Sequence, residues 1–199
     1  MRNVYLAVGC LLLLGTGCNN SSSSAVGSSN DSTSRKPAMS TEAARSKLDE
    51  GGTQLLLATV NHYYALKNAL VAAKAPDADS AATKLIAVAD SLNGYLQKDS
   101  TNGSALKPFV DTVIGASKLI LAVTDETCER KRLPFGPLSS AMFGMLKTVD
   151  LKHAGIYREY CPMAYNEKGA TWLSDDPEIK NPYFGKKMLE CGEVTDSLK

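Results

Sequence analysis

The sequence has little of several residue types that particular functions need. Two histidines, His62 and His153, are too few for metal storage by histidine clusters or for a catalytic scheme that needs three. Lys and Arg number 22 against 21 Asp and Glu, so no charge excess favours nucleic acid binding. The chain has no His-Glu-x-x-His, Gly-x-Ser-x-Gly, phosphate-binding Gly-rich or Cys-x-x-Cys-His motif. We therefore do not expect an enzyme.

The first 17 residues are typical of a bacterial signal peptide. A short segment carrying Arg2 precedes the apolar run 5–14, which is too short to span a membrane. Gly9 interrupts this run, and Gly15 and Gly17 follow it. Small residues then precede Cys18, an arrangement that resembles a lipobox, where the chain is cleaved and the cysteine is acylated. The sequence predicts a lipoprotein anchored through Cys18 in the cell envelope of a Gram-negative bacterium. An ordinary signal peptide ending nearby is the alternative.

Composition divides the rest of the chain into three parts. Residues 18–40 begin with the predicted lipidated cysteine and are rich in Ser and Asn, which predicts a flexible tether. Residues 41–154 carry helical periodicity, and residues 155–199 do not. We expect the last two parts to form one domain, with the tail as a cap packed on the helices.

Four apolar stripes with spacings of three and four residues predict four helices. Short loops separate three of them, which is typical of an up-down four-helix bundle in the all-α class. A basic segment with two prolines, residues 127–137, should not be a clean helix. The stripes are Leu56, Val60, Tyr63, Leu66 and Leu70; Leu85, Val88, Leu92 and Tyr95; Leu106, Phe109, Val113, Ala116, Ile120 and Val123; and Leu138, Met142, Met145 and Val149.

The tail has a different pattern. Residues 156–161 are rich in β-formers, and residues 169–173 are a second short extended candidate. Turn residues follow in the segment 181–185. We expect an irregular C-terminal cap with at most a short β-hairpin.

The most specific motifs also lie in the tail. They are Tyr-Cys-Pro-Met-Ala at 160–164, Gly-Ala-Thr-Trp-Leu-Ser at 169–174 and the segment 179–192, which ends in Met-Leu-Glu-Cys-Gly. With the upstream segments 63–71 and 132–142, they resemble a bacterial domain family of unknown function. Its members are secreted or lipid-anchored, and the domain also occurs fused to periplasmic adaptor subunits of heavy-metal efflux pumps of the copper and silver type. The resemblance implies a role in metal traffic and an efflux adaptor as a partner.

Two Cys/Met pairs in the tail carry the candidate chemistry. Thiolate and thioether sulfurs are soft donors that suit Cu(I) or Ag(I). Cys161 with Met163, and Met188 with Cys191, could surround one ion, with His62 or His153 adding a nitrogen ligand. We therefore expect an envelope protein that binds Cu(I) or Ag(I) as a buffer or chaperone for heavy-metal efflux.

The same cysteines allow other interpretations. Outside the cytoplasm, Cys161 and Cys191 could form a disulfide, or both could remain free thiols. With the disulfide, the protein would be a non-catalytic interaction module that presents Trp172 and the pair Tyr183 and Phe184 to a partner.

The remaining notable residues have structural interpretations. Met142 and Met145 fall on an apolar stripe and should fill the core. Trp172 and Tyr183 should pack the tail onto the helices if they are not presented to a partner. Cys128 is interpreted as a small spacer, with a reactive thiol as the alternative. Lys131 and Arg132 are expected to be solvated, unless Arg132 holds a carboxylate such as that of Glu159.

Overall fold

A computed structural model describes residues 43–198 of the chain. Four helices come first: α1 is Glu50–Ala72, α2 is Ala75–Leu96, α3 is Gly103–Ala122 and α4 is Phe135–Thr148. Three strands follow: β1 is Ile156–Cys161, β2 is Ala170–Ser174 and β3 is Glu193–Leu198. None of the helices within the described range is both long and apolar enough to cross a membrane. The predicted signal peptide, Cys18 and the tether lie outside this range.

The four predicted helices are confirmed, and they form a helical bundle. Each helix packs on the next along the chain. The first and last also meet, because the ring of Tyr63 on α1 stacks on that of Phe135 on α4 with centroids 5.4 Å apart. The segment before α4 consists of turns, as its prolines predict.

The tail departs from the all-α prediction, because it forms a three-stranded antiparallel sheet in the order β2-β1-β3. The expected hairpin corresponds to β1 and β2. The third strand is not predicted, because Glu193–Leu198 lies at the sheet edge with its first three side chains exposed and shows no apolar alternation. The other edge, β2, lies against the helices, where the backbone N–H of Leu173 donates to the Tyr63 hydroxyl at 3.0 Å.

Helix α1 begins where two glycines allow close packing. The Asp49 side chain accepts a hydrogen bond from the backbone N–H of Gly52 at 2.8 Å, which is an N-cap. A Cβ added to Gly52 would lie 2.6 Å from the Tyr95 ring, so a larger residue there would displace that ring. The helix ends at Ala72, and the following C-cap residue, Ala73, has a left-handed φ of 53°. Gly51 and Gly52 thus lie in the first turn of α1.

Helix α2 buries a face that differs from its predicted stripe. Leu85 and Leu92 are buried as expected, but Val88 and Tyr95 are only partly buried. The face is completed by small residues, Ala78, Ala82 and Ala89, with Leu96 at its end. Alanine contributes little to a hydrophobic pattern, so the sequence signal follows the larger side chains and misplaces the face.

Lys131 and Arg132 are buried, and the expectation that they are solvated is wrong. Lys131 Nζ donates to the Ile120 carbonyl near the end of α3 at 3.0 Å and pairs with Asp79 at 2.6 Å. A helix C-terminus leaves carbonyl groups without intrahelical partners and favours nearby cations. Lys131 therefore stabilises the end of α3.

Arg132 connects three separate segments through backbone carbonyls. Its Nη2 donates to Leu70 near the end of α1 at 2.9 Å, and its Nε donates to Pro182 in the tail at 2.9 Å. Its Nη1 donates to Thr127 at 3.2 Å. The guanidinium thus joins the first helix to the tail.

Replacing Arg132 by methionine should destabilise the protein. The variant leaves buried carbonyl oxygens without a donor, and we expect the free energy of unfolding to fall by about 2–4 kcal/mol. Chemical denaturation measures the change. The matched control is Lys118→Met on the exposed face of α3, which should change the value by less than about 0.5 kcal/mol. Equal stability of Arg132→Met and wild type would contradict this role.

Candidate functional site

Strand register brings the two tail cysteines together. Tyr160 pairs with Glu193 in the antiparallel ladder of β1 and β3, so one further step places Cys161 opposite Gly192. The neighbouring Cys191 thiol makes a side-chain hydrogen bond with Cys161. Cys161 is fully buried, Cys191 is partly exposed, and both are free thiols. The hydrogen bond, with some burial, raises the pKa of the Cys191 thiol.

Asn181 fixes the segment that carries Cys191. Its backbone N–H donates to the Leu189 carbonyl at 2.8 Å, and its Nδ2 donates to the Cys191 carbonyl at 2.7 Å. Its Oδ1 accepts from the backbone N–H of Tyr183 at 2.8 Å. The side chain is fully buried. One asparagine therefore closes the loop from 181 to 191 and holds Cys191 in place.

The two tail methionines line one cavity of about 740 Å³. Met163 is 41% exposed, and its backbone makes a hydrogen bond with the Cys191 thiol. Met188 ends a short 3-10 turn, Gly185–Met188, on the same cavity. The other apolar and aromatic lining residues are Leu133, Pro137, Tyr165, Tyr183 and Phe184. Met163 and Met188 thus share one cavity, and the Met163 backbone contacts Cys191, although neither cysteine lines the cavity.

A left-handed turn shapes the wall of this cavity. Tyr165, Asn166 and Glu167 have φ angles of 54°, 57° and 66°, which non-glycine residues adopt at a cost. The Tyr165 hydroxyl secures the turn by accepting from the backbone N–H of Gly136 at 3.0 Å and donating to the Arg132 carbonyl at 2.8 Å. The turn therefore reverses the chain between β1 and β2 within a few residues and fixes one side of the cavity.

The structure does not bring the two histidines to the cysteine pair. His153 precedes β1, whereas Cys161 ends it, and six residues of strand span roughly 16 Å. His62 is half-buried on α1, one residue before Tyr63. Across residues 43–198, no three His, Cys, Asp or Glu side chains are grouped to hold a metal ion.

Burial decides the roles of the other residues singled out in the sequence. Met142 and Met145 are fully buried, which confirms them as core residues. Trp172 is fully buried, so the prediction that it is presented to a partner is wrong, whereas the largely buried Tyr183 and the partly buried Phe184 both line the cavity. Cys128 is buried, and burial raises the pKa of its thiol, which fits a spacer rather than a reactive group.

A buried polar cluster lies next to Cys161, and no sequence pattern predicts it. Glu159 lies two residues before Cys161 on β1 and is fully buried. Burial raises the pKa of the Glu159 carboxyl group to about 7, although the Lys67 ammonium and a side-chain hydrogen bond with Trp172 oppose this. Strand alternation could have placed Glu159 on the same face as Cys161. Its burial depends on α1, which the sequence pattern does not place against the sheet.

The raised pKa of Glu159 should make the stability depend on pH. Between its ordinary pKa of 4.5 and about 7, the folded state keeps a proton that the unfolded state loses. Stability should therefore fall as the pH rises from about 5 to 8, by up to about 3 kcal/mol. Denaturation at several pH values measures this fall. Glu159→Gln should flatten it, and the exposed Glu167→Gln should not. An unchanged profile in Glu159→Gln would contradict the assignment.

The contact between the two thiols should allow selective oxidation. We expect a mild oxidant to join Cys161 to Cys191 and to leave the buried Cys128 reduced, as measured by peptide mapping. Asn181→Asp should slow the formation of the Cys161–Cys191 disulfide. The substitution replaces the amide group that donates a hydrogen bond to the Cys191 carbonyl with a carboxylate, which can only accept. Asn166→Asp, at an exposed turn position, is the matched control. A disulfide that includes Cys128 would contradict the predicted pairing of Cys161 with Cys191.

Comparisons with known proteins concern the helical region. Residues 59–154 match the model of a family described as Protein of unknown function (DUF3347). The match begins within α1 and ends before β1, so it does not include the tail motifs that carry much of the sequence resemblance. No curated protein and no solved structure matches the chain. The helical region of this chain is therefore similar to a domain family of unknown function.

Proposed function

We propose that this protein is an envelope lipoprotein that binds one soft metal ion, Cu(I) or Ag(I), as a buffer or chaperone for heavy-metal efflux. The observation that carries the proposal is the contact between the Cys161 and Cys191 thiols beside a cavity lined by Met163 and Met188. Both thiols must lose their protons to bind, since the thiolate is the metal ligand.

The donor set favours a soft ion. Thiolate and thioether sulfurs select Cu(I) over hard cations, which prefer oxygen. The exposed Met163 thioether offers a first contact at the cavity, and the buried Cys161 offers a final ligand out of solvent. A neutral thioether binds a metal ion more weakly than a thiolate does. An ion could therefore bind first to the exposed Met163 thioether, exchange readily there, and then be held more tightly by the Cys161 thiolate.

The proposed location and the proposed partner are both inferred from the sequence. Acylation of Cys18 and a tether of about 20 residues would hold the domain at the membrane surface. The resemblance to domains fused to adaptors of copper and silver efflux pumps supports metal delivery to such an adaptor. The tether would give the domain a reach of roughly 25 Å.

The thiol contact also supports a second candidate function. A Cys161–Cys191 disulfide would close the tail and stabilise a non-catalytic interaction module. Thiol counting on freshly isolated protein distinguishes the two. Two oxidised cysteines with no metal uptake would favour the module, and two reduced cysteines would favour the metal site.

Metal titration tests the proposed function directly. We expect the reduced full-length protein in detergent to bind one Cu(I) per chain in competition with a chromophoric chelator. Cys161→Ser and Cys191→Ser should abolish this binding. Met163→Leu and Met188→Leu should each weaken it by about tenfold, equivalent to about 1.4 kcal/mol.

The chain offers a matched control for each substitution. Cys128→Ser removes a buried thiol and Met142→Leu a buried thioether, both outside the candidate site. Both variants should bind Cu(I) as wild type does. Wild-type affinity in Met163→Leu and Met188→Leu would refute the thioether ligands. Retained binding in the two serine variants of the tail would refute the site itself.

A further inference from the structure

The cavity beside the tail has a buried cation in its wall. Arg132 lines this cavity and is only 6% exposed. All three hydrogen bonds of its guanidinium go to backbone carbonyls. Asp125 and Glu129 act on the guanidinium electrostatically, but no carboxylate within the described part of the chain forms an ion pair with it. Arg132 is therefore a buried charge without a protein counter-ion among these residues.

A buried charge of this kind favours an anion. Backbone carbonyls bond to the cation but carry no net charge, so they do not neutralise it. Buried charges in proteins are nearly always paired, because an uncompensated charge away from water is costly. The carbonyl bonds also use only three of the five N–H donors of an arginine. The other two can both bond to one carboxylate.

Apolar and aromatic side chains form much of the remaining wall. The rings of Tyr165 and Tyr183 lie with their centroids 5.3 Å apart, and each hydroxyl donates to a backbone carbonyl. These hydroxyls are therefore already bonded, and the rings offer the cavity an apolar surface together with Leu133 and Phe184. A volume of about 740 Å³ suits a small organic molecule.

The other charged groups around the cavity are exposed and balance one another. Glu129 pairs with Lys187 at 2.9 Å, and the two side chains are 63% and 78% exposed. Glu167 and Lys168 are neighbours in the exposed turn. Charges in contact with water are screened far more than buried ones. Arg132 therefore determines which charge a ligand should carry.

We propose that the cavity binds an organic monocarboxylate with an apolar body. The carboxylate would pair with the Arg132 guanidinium, and the body would pack on the aromatic rings. The apolar body would also cover Leu133 and Met163, whose exposed fractions are 59% and 41%. Such a ligand needs neither the thiols nor a metal ion. The inference therefore goes beyond the proposed function and stands if the protein binds no metal.

Three probes that share one phenylalkyl body test the charge preference. They are 4-phenylbutyrate, 4-phenylbutanol and 4-phenylbutylammonium, which differ in the charge of the head group. Isothermal titration calorimetry on the metal-free full-length protein in detergent measures their affinities. We expect 4-phenylbutyrate to bind about tenfold more tightly than the alcohol, and the ammonium compound not to bind. Titration into detergent alone corrects for partition into micelles.

Two exposed leucines provide a matched pair of variants. Leu133 and Leu119 are each 59% exposed, and of the two only Leu133 lines the cavity. Leu133→Glu adds a carboxylate to the wall and should weaken 4-phenylbutyrate binding by about tenfold. Leu119→Glu should leave the affinity unchanged. Arg132→Met should abolish binding, and if that variant does not fold, the three probes and the leucine pair decide the question.

Three results would overturn the proposal. An alcohol or ammonium probe that binds as tightly as 4-phenylbutyrate would show that the cavity has no preference for an anion. Failure of 4-phenylbutyrate to bind at millimolar concentration would show that the cavity does not take this class of ligand. Wild-type affinity in Leu133→Glu would place the bound probe elsewhere on the protein.

Discussion

The hydrogen bonds of Arg132 are the constraint on which the tail depends. The guanidinium holds the last turn of α1 through Leu70 and the tail through Pro182. Pro182 follows Asn181, and Asn181 binds the carbonyl of Cys191. A continuous series of buried contacts therefore runs from the helical bundle to the candidate ligand. Backbone carbonyls that need donors explain why a charged residue is buried here.

The proposed metal site would combine two surroundings that favour different steps of metal binding. The cysteine thiols lie at the end of the sheet, where the register of β1 and β3 brings them into contact. The methionine thioethers line an open cavity beside them. Buried sulfur ligands can retain a bound metal ion, and exposed sulfur ligands nearby can exchange the ion with a partner. The same thiol contact also suits a disulfide, and only oxidation state separates the two uses.

Sequence patterns predicted the features that depend on local periodicity. The stripes of α1 and α4 are buried because Leu, Tyr and Met repeat along one face. The face of α2 was misplaced because alanine gives a weak signal, and β3 was missed because an exposed edge strand carries little apolar alternation.

The candidate site was predictable only in part. Sulfur chemistry and short spacing identified Cys161, Met163, Met188 and Cys191. The positioning by Asn181 and the polar cluster at Glu159 arise from contacts across tens of residues, which periodicity does not encode. The burial of Lys131 and Arg132 likewise depends on helix ends that only the folded chain places beside them.

X-ray absorption at the copper edge tests the central claim most directly. The full-length protein, reduced and loaded with one equivalent of Cu(I), should show a first coordination shell made of sulfur alone, because the structure gathers cysteine and methionine and leaves His62 and His153 elsewhere. Serine variants of Cys161 and Cys191 should lose this shell. A shell that contains nitrogen or oxygen in the wild type, or a sulfur shell that persists in both variants, would contradict the account.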